Sequence, residues 1–183
     1  MNKLIFISII SIFFISLYSL SGCTDNQNNN IDSGEDFKFQ GLDGSLHYLS
    51  DYRGKIVILD MWATWCNPCG YQMLELEKVY NYYDREKIEI ISLDIETSET
   101  ADLVSQYINE AKNYDINLDW VFGMDIDNIW EKYKINDGIP TLYIFDQNGN
   151  IYYNHEGVSV FSEIPEGWPQ TTIILKDKID ELI

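Results

Sequence analysis

Two cysteines separated by only two residues, Cys66 and Cys69, are the side chains of this sequence best suited to chemistry. An apolar run typical of a buried strand precedes them, and a stretch with helical spacing of apolar residues follows. The first turn of a helix offers unpaired N–H groups and the positive end of the helix dipole, which stabilise a thiolate. We therefore expect Cys66 to be a nucleophile of lowered pKa and Cys69 to be the resolving thiol of a readily exchanged disulfide.

Two other uses of this cysteine pair have to be weighed. A zinc site needs further cysteine or histidine ligands, and the only histidines, His47 and His155, lie far from the pair in the chain. A purely structural disulfide suits an oxidising compartment, but a loop this short restricts the unfolded chain little. We therefore expect a redox-active pair, with no metal and no other cofactor.

The elements that would position this pair alternate between strand and helix. Apolar runs predict strands at residues 37–39, 46–49, 56–59, 88–95, 120–122, 141–145 and 151–154. Helical spacing predicts helices at residues 67–83, 99–112, 126–133 and 171–183, with Ser98 as the N-cap of the second. An Asn-Gly pair at 148–149 predicts a hairpin between the last two strands. This order favours an α/β fold with a central mixed sheet.

Length and composition limit the remaining function classes. The 183 residues suit a single domain, and a hydrophobic content of 45% is enough to form a core. Lys and Arg total 12 against 30 Asp and Glu, so the formal net charge is -18. A surface this acidic repels phosphate backbones, so we expect no nucleic-acid partner.

The N-terminal segment accounts for the third cysteine. Residues 1–22 have the layout of a secretory signal peptide, with Lys3 ahead of an uncharged apolar run. The run ends in LSGC, residues 20–23, which resembles the lipobox of prokaryotic lipoproteins, and in that family the cysteine is lipidated. Cys23 is therefore the expected lipidation site. The alternative is an uncleaved membrane helix, for which the run is borderline in length.

Both alternatives place the remainder of the chain outside the cytoplasm and tethered to a membrane. Residues 23–36, which comprise Cys23 and a stretch rich in Asn and Asp, are predicted to form a flexible polar tether. Residues 37–183 are predicted to form the folded domain. The polar stretch at 160–170, which contains Trp168, is predicted to be either a surface loop with a packed tryptophan or a specificity loop.

The segment VILDMWATWCNPC, residues 57–69, resembles the active-site segment of the thioredoxin superfamily. It is most similar to the TlpA-like branch, whose members are membrane-tethered extracytoplasmic thiol–disulfide oxidoreductases. A second signature, GIPT at residues 138–141, also matches, and the similarity covers roughly residues 37–157. The resemblance implies a thioredoxin-like fold, with helices flanking a mixed sheet that carries an N-terminal β extension.

The resemblance also implies roles for residues near the cysteines. Pro140 is cis in the family and lies against the CxxC motif, so it is grouped with the catalytic residues. Ile139 before it is expected to present its backbone to an extended substrate, as an added strand does. Trp65, Pro68 and Thr141 complete the predicted substrate-binding set.

Asp60 is the polar residue that the resemblance makes most informative. In cytosolic thioredoxins an acid at the matching place is buried behind the second cysteine, where its raised pKa lets it relay a proton. The TlpA-like branch often has Asn there and a Glu in the following helix, whereas this chain has Gln72 at that helix position. We therefore predict Asp60 to be catalytic; the alternative is a strand-end residue turned to solvent.

These features predict a membrane-tethered thiol–disulfide oxidoreductase. Its expected partners are protein thiol or disulfide substrates, apocytochrome c among them, together with an upstream membrane electron donor, and it is expected to be a monomer. The uncharged Asn-Pro between the cysteines favours a reductant over a strong oxidant. The alternatives are a redox-silent binding lipoprotein of the same fold and a peroxiredoxin-like antioxidant enzyme, whose PxxxT/SxxC motif is replaced here by WCNPC.

Overall fold

The computed structural model describes residues 34–183. The predicted signal peptide, the predicted lipidation site Cys23 and most of the predicted tether lie outside the described residues. Within them the chain forms seven strands and four α-helices. The strands are β1 (Lys38–Gly41), β2 (Leu46–Tyr48), β3 (Ile56–Trp62), β4 (Ile88–Asp94), β5 (Val121–Asp125), β6 (Thr141–Phe145) and β7 (Ile151–Glu156). The helices are α1 (Asn67–Tyr82), α2 (Ala101–Ala111), α3 (Ile129–Tyr133) and α4 (Leu175–Asp180).

All seven strands join one mixed sheet in the order β2-β1-β5-β4-β3-β6-β7. The central pairs β3–β4 and β4–β5 are parallel, whereas the hairpins β1–β2 and β6–β7 are antiparallel and form the two sides. This confirms the predicted α/β fold with a mixed sheet. The N-terminal hairpin pairs with β5, so it extends the sheet on the side away from β6.

Strand β3 lies at the centre of the core because every one of its residues is buried. Successive side chains of a strand point to opposite faces, and its residues accordingly divide between two apolar clusters. Ile58 and Trp62 pack with the buried faces of α1, α2 and α4. Leu59 and Met61 pack on the other face with α3 and the aromatic residues of the N-terminal segment.

Some element boundaries differ from the predictions. The N-cap of α2 is Thr100, whose hydroxyl accepts the N–H of Leu103, whereas Ser98 donates to Glu96 in the preceding turn. Helix α3 begins later than predicted, since the Asp125 carboxylate accepts the N–H groups at the start of the helix. Helix α4 spans only the middle of the predicted range, because residue 174 forms a parallel bridge with residue 160.

The described chain starts at the turn between β6 and β7. A Cβ atom on Gly34 would lie 2.7 Å from the carbonyl oxygen of Gly149 and 2.7 Å from the ring of Phe145, so the backbone packs closely there. Phe145 pairs with Val57, near the first residue of β3. Within residues 34–183, no helix combines the length and apolar character needed to cross a bilayer.

Candidate active site

The cysteine pair lies where β3 leads into α1. Cys66 is the N-cap of the helix, and its sulfur accepts the N–H of Cys69 at 3.2 Å. The two sulfurs are bonded at 2.10 Å. Cys66 is 5% exposed and Cys69 is fully buried, so Cys66 is the sulfur that a protein substrate can reach. Pro68 lies in the first turn of the helix and is exposed. The N–H groups of the first turn have no partner within the helix, so the lack of an N–H in proline costs no hydrogen bond there.

The loop that carries Pro140 closes over the pair. The Ile139–Pro140 peptide bond is cis, and the carbonyl oxygen of Ile139 lies 3.7 Å from the Cys66 sulfur. The hydroxyl of Thr141 donates to the carbonyl of Gly138 at 2.6 Å, and the N–H of Gly157 donates to the Pro140 carbonyl at 2.8 Å. Thr141 is buried, so its side chain holds the loop in place and does not reach the surface.

The surface around Cys66 is aromatic. Trp65 is 62% exposed, and its indole N–H donates to Glu96 at 3.3 Å. Tyr71 is equally exposed on the first turns of α1, and Ile139 is half-buried between the loop and the core. Trp65 and Ile139 provide apolar area beside the reactive sulfur. They suit contact with a protein surface more than enclosure of a small molecule.

Asp60 is fully buried, which excludes the solvent-facing alternative. By strand alternation it lies between Ile58 and Trp62 on the sheet face whose apolar cluster includes Cys69. The hydroxyl of Ser92 donates to its Oδ2 at 2.9 Å, and Ser92 in turn accepts the indole N–H of Trp120. Its other oxygen has no hydrogen-bond partner among the described residues.

Burial dominates the electrostatics of Asp60. Loss of water raises the pKa of its carboxyl to about 7, and the hydrogen bond from Ser92 opposes this only in part. A carboxyl with this pKa is present in both protonation states near neutral pH. It is therefore suited to accept a proton from a thiol and to return it.

Gln72 connects α1 to the segment that follows β7. It is buried one turn after Cys69, and its side-chain oxygen accepts the N–H of Ser159 at 2.7 Å. One turn further along, Glu75 accepts the N–H of Phe161 at 2.8 Å. The beginning of the 160–170 stretch is thus attached to the helix that carries Cys69.

The remainder of that stretch borders a cavity. Trp168, His155 and Gly157 line this cavity, whose volume is about 280 Å³. The N–H of Gly157 donates a hydrogen bond to the carbonyl of Pro140. Trp168 is half-buried, and burial lowers the pKa of His155. The structure therefore places the predicted loop near the cis-proline side of the site.

A group of acidic residues bonded to Thr64 and Trp65 was missed by the sequence analysis. Glu99 accepts both the N–H of Thr64 at 3.0 Å and its hydroxyl at 2.5 Å. Asp94, at the end of β4, is only 1% exposed. One sequence signal could have indicated these acidic residues, since Asp94 follows an apolar strand just as Asp60 does. Adjacent parallel strands end at the same edge of a sheet, so the two residues lie at the same edge.

The described residues contain no group of three or more His, Cys, Asp or Glu side chains arranged to hold a metal ion. The described site combines an accessible sulfur, a buried partner sulfur, a cis-proline loop and a buried carboxyl whose pKa is about 7. This arrangement can exchange a disulfide with another protein.

The chain is similar in sequence and fold to known proteins of the thioredoxin superfamily. The sequence model of the AhpC/TSA family matches residues 32–154. The thiol–disulfide oxidoreductase ResA of Bacillus thuringiensis subsp. konkukian is 30% identical over 132 residues, 71% of each chain. The thioredoxin-like protein YneN of Bacillus subtilis is 30% identical over 131 residues, 72% of this chain and 74% of YneN.

A further ResA, from Geobacillus kaustophilus, is 30% identical over 116 residues, and the chain spans 63% of its length. Among solved structures, StoA of Bacillus subtilis matches with a TM-score of 0.56 at 20% identity, over 69% of this chain and 90% of StoA. The pneumococcal exposed lipoprotein thioredoxin Etrx1 matches with a TM-score of 0.56 at 22% identity, over 80% of this chain and 99% of Etrx1. These structural matches show that the fold is thioredoxin-like.

Proposed function

The chain belongs to the AhpC/TSA family as a TlpA-like member of the thioredoxin superfamily, and from that membership we propose that it is a thiol–disulfide oxidoreductase acting on other proteins. One observation carries the proposal. The Cys66–Cys69 disulfide lies at the start of α1 with the Ile139 carbonyl 3.7 Å from the more accessible sulfur. Similarity to relatives named as thiol–disulfide oxidoreductases supports it.

The proposed reaction in the reducing direction has two exchanges. The Cys66 thiolate attacks one sulfur of a substrate disulfide, which breaks that bond, forms a mixed disulfide and releases one substrate thiol after protonation. Cys69 then loses its proton and attacks the Cys66 sulfur, which releases the second substrate thiol. The substrate gains two electrons and two protons, and the protein is left with the Cys66–Cys69 disulfide. A thiol donor must return those electrons before the next cycle.

Each neighbouring residue has a proposed part in these steps. Asp60 accepts the proton of Cys69 as it attacks, because its pKa of about 7 matches the working range. The backbone at Ile139 pairs with the extended substrate, and Pro140 keeps this loop against the sulfurs. Trp65 and Pro68 supply exposed contact area beside Cys66.

We propose that the protein works as a reductant. No charged residue lies between the cysteines to stabilise the Cys66 thiolate strongly, and a strongly stabilised thiolate is what makes an oxidant. The reduction potential of the pair tests this. We expect a value of about -270 mV, as in thioredoxin; a value of about -120 mV would mark an oxidant instead.

The proposed location is outside the cytoplasm, with Cys23 lipidated and the domain held at a membrane. The apolar N-terminal run and the LSGC motif support this, as does similarity to a structure described as an exposed lipoprotein. The proposed clients are disulfides in exported proteins, with apocytochrome c among them, and the donor is an upstream membrane protein. Mass spectrometry of the mature N-terminus would show either a lipidated Cys23 or an intact Met1.

Disulfide reduction by purified variants tests the proposed activity. Cys66→Ala should abolish reduction of a protein disulfide such as that of insulin, and Cys69→Ala should accumulate mixed disulfides with the substrate. Asn67→Ala is the matched control, since it alters an exposed residue between the two cysteines and keeps both thiols. If the double Cys66→Ala, Cys69→Ala protein reduced insulin or fully complemented a deletion, the proposed activity would be wrong.

A further inference from the structure

A carboxylate from the neighbouring strand holds the loop that leads into Pro140. We call residues 136–140 the Pro140 loop. Glu156, the last residue of β7, is half-buried, and its Oε2 accepts the N–H of Asn136 at 2.7 Å and the N–H of Gly138 at 3.2 Å. A Cβ atom on Gly138 would be 2.7 Å from both Cδ and Oε1 of Glu156, so the carboxyl group packs directly on the loop backbone.

The backbone of the Pro140 loop is shaped to receive this carboxylate. Asp137 lies between the two donors and has a φ of 65°, in the left-handed region. A turn of this kind directs nearby backbone N–H groups to one side of the chain, where they form a concave site for an anion. Glu156 supplies the anion from within the chain. Hydrogen bonds to an ionised carboxylate are about twice as strong as neutral ones, so this attachment is the strong kind.

The same β6–β7 hairpin holds the remainder of the Pro140 loop. The hydroxyl of Thr141 donates to the carbonyl of Gly138, and the N–H of Gly157 donates to the carbonyl of Pro140. The residues on either side of Ile139 are therefore both bonded to the hairpin. These bonds keep the Ile139 carbonyl at its distance of 3.7 Å from the reactive sulfur.

We infer that Glu156 is a positioning residue for the protein substrate. Its carboxylate holds the Pro140 loop so that the backbone of Ile139 can pair with an extended substrate segment beside Cys66. Glu156 acts through the loop and not on the reacting sulfurs. The inference rests on the proposed function, since it assigns a residue to the substrate-pairing edge of that site.

Steady-state reduction of insulin by the full-length protein separates binding from chemistry. Glu156→Ala should raise the KM about tenfold, the factor that one charge-assisted hydrogen bond supports, while kcat falls less than about twofold. Glu156→Gln keeps an acceptor oxygen and loses the charge, so its KM should lie between those of the wild type and the alanine variant. The glutamine variant keeps the test valid even where Glu156→Ala does not fold.

A small disulfide provides the comparison within each variant. Hydroxyethyl disulfide has no peptide backbone to pair with Ile139, so reduced Glu156→Ala should react with it within about twofold of the wild-type rate. A general loss of structure at the site would slow both reactions. Loss of the pairing edge slows only the reduction of the protein disulfide.

Asp146→Asn is the matched control for Glu156→Gln. Asp146 accepts the N–H of Asn148 at 2.9 Å and the N–H of Asn150 at 2.8 Å, at the other end of the same hairpin. This variant therefore removes the charge from a comparable pair of bonds away from the Pro140 loop. It should keep the wild-type KM for insulin.

Amide hydrogen exchange tests the attachment without redox chemistry. In oxidised Glu156→Ala the amides of Asn136 and Gly138 should exchange about tenfold faster than in the wild type, because their acceptor is gone. The amides of Asn148 and Asn150 keep theirs and should exchange at the wild-type rate. Unchanged exchange at Asn136 and Gly138 would show that Glu156 does not hold the loop.

The kinetic outcomes distinguish this inference from the proposed function. If both Glu156 variants reduce insulin with the wild-type KM, or if Asp146→Asn raises the KM as much as Glu156→Gln does, the positioning role is wrong and the oxidoreductase function stands. If the wild type reduces neither insulin nor hydroxyethyl disulfide, the proposed function fails and the positioning role fails with it.

Discussion

Asp60 and Asp94 occupy comparable places in two neighbouring parallel strands. Asp60 pairs with Ser92 across the β3–β4 ladder, and Asp94 pairs with Trp62 two residues further toward the end where the cysteines lie. Both carboxyls are buried, and both have pKa values raised above the ordinary range, to about 7 and about 8. They differ in what surrounds them.

Asp60 is surrounded by apolar side chains and Ser92, so burial alone raises its pKa. At Asp94 burial is again the first cause, but the second is the carboxyl of Glu99, and Glu96 adds repulsion. The comparison shows that similar pKa values can serve different purposes. An isolated buried carboxyl can exchange a proton with a neighbouring thiol, whereas the carboxyl of Asp94 retains its proton in a hydrogen bond to the carboxyl of Glu99.

The largest expected effect is on the free energy of unfolding, and it distinguishes Asp60 from Asp94. A folded-state pKa of about 7 against about 4 unfolded means that ionising Asp60 costs the folded state on the order of 4 kcal/mol. Asp60→Asn and the wild type should therefore be equally stable near pH 4, and the wild type should become progressively less stable than the variant up to about pH 7. Urea unfolding of the oxidised proteins across this range measures it.

For Asp94→Asn we expect a smaller pH-dependent gain, because its carboxyl borders an open cavity and shares its electrostatics with Glu99. Asp119→Asn, an exposed carboxylate, is the control and should show a nearly constant difference from the wild type. Parallel stability curves for the wild type and Asp60→Asn would show that Asp60 is already ionised at low pH.

The second expected effect is kinetic. As Asp60 ionises near pH 7 it becomes able to take the proton of Cys69, so the rate of resolving a mixed disulfide should rise through that pH. Asp60→Asn should slow this step by about 100-fold and remove the inflection. Stopped-flow measurement of substrate release across pH 5–9 tests this, with Asp94→Asn as the comparison that should retain an inflection near pH 7. An unchanged profile in Asp60→Asn would remove Asp60 from the mechanism.

The smallest expected effect tests whether the two carboxyls are independent. Glu99→Gln removes the carboxyl that raises the pKa of Asp94, so the Asp94 midpoint should fall by about one pH unit. The Asp60 midpoint should not move, since Glu99 is not among the groups that affect it. Carboxyl ¹³C NMR titration follows both residues in one sample. A joint movement of the two midpoints would mean that they titrate as one coupled system.

Much of the fold was predictable because its signals are local. Each buried strand is a run of apolar residues, and the order of strands and helices follows from these runs alone. The cysteine motif and the Ile139–Pro140 segment are likewise short stretches that can be identified without knowledge of contacts. The thioredoxin-like architecture is confirmed, whereas the roles of the individual site residues remain predictions.

The parts that could not be predicted depend on residues distant in sequence or on a choice among equivalent neighbours. The hydrogen bonds from Thr64 to Glu99 join residues 35 positions apart, and no local sequence pattern indicates that these two residues are in contact. Ser98 and Thr100 are both good N-caps, and only the path of the turn after β4 decides between them. Tertiary pairing with residue 160 likewise delays the start of α4.

The close packing of Gly34 against the β6–β7 turn has a consequence for orientation. The chain enters the domain beside the first residues of β3, and the cysteines follow the last residue of that strand, about 20 Å away at the opposite pole. If Cys23 anchors the protein as proposed, the attachment reaches the domain at the end opposite the cysteines and does not cover the reactive face. The site would then stay open to clients arriving from the aqueous side, and contact with a membrane-embedded donor would require the domain to turn.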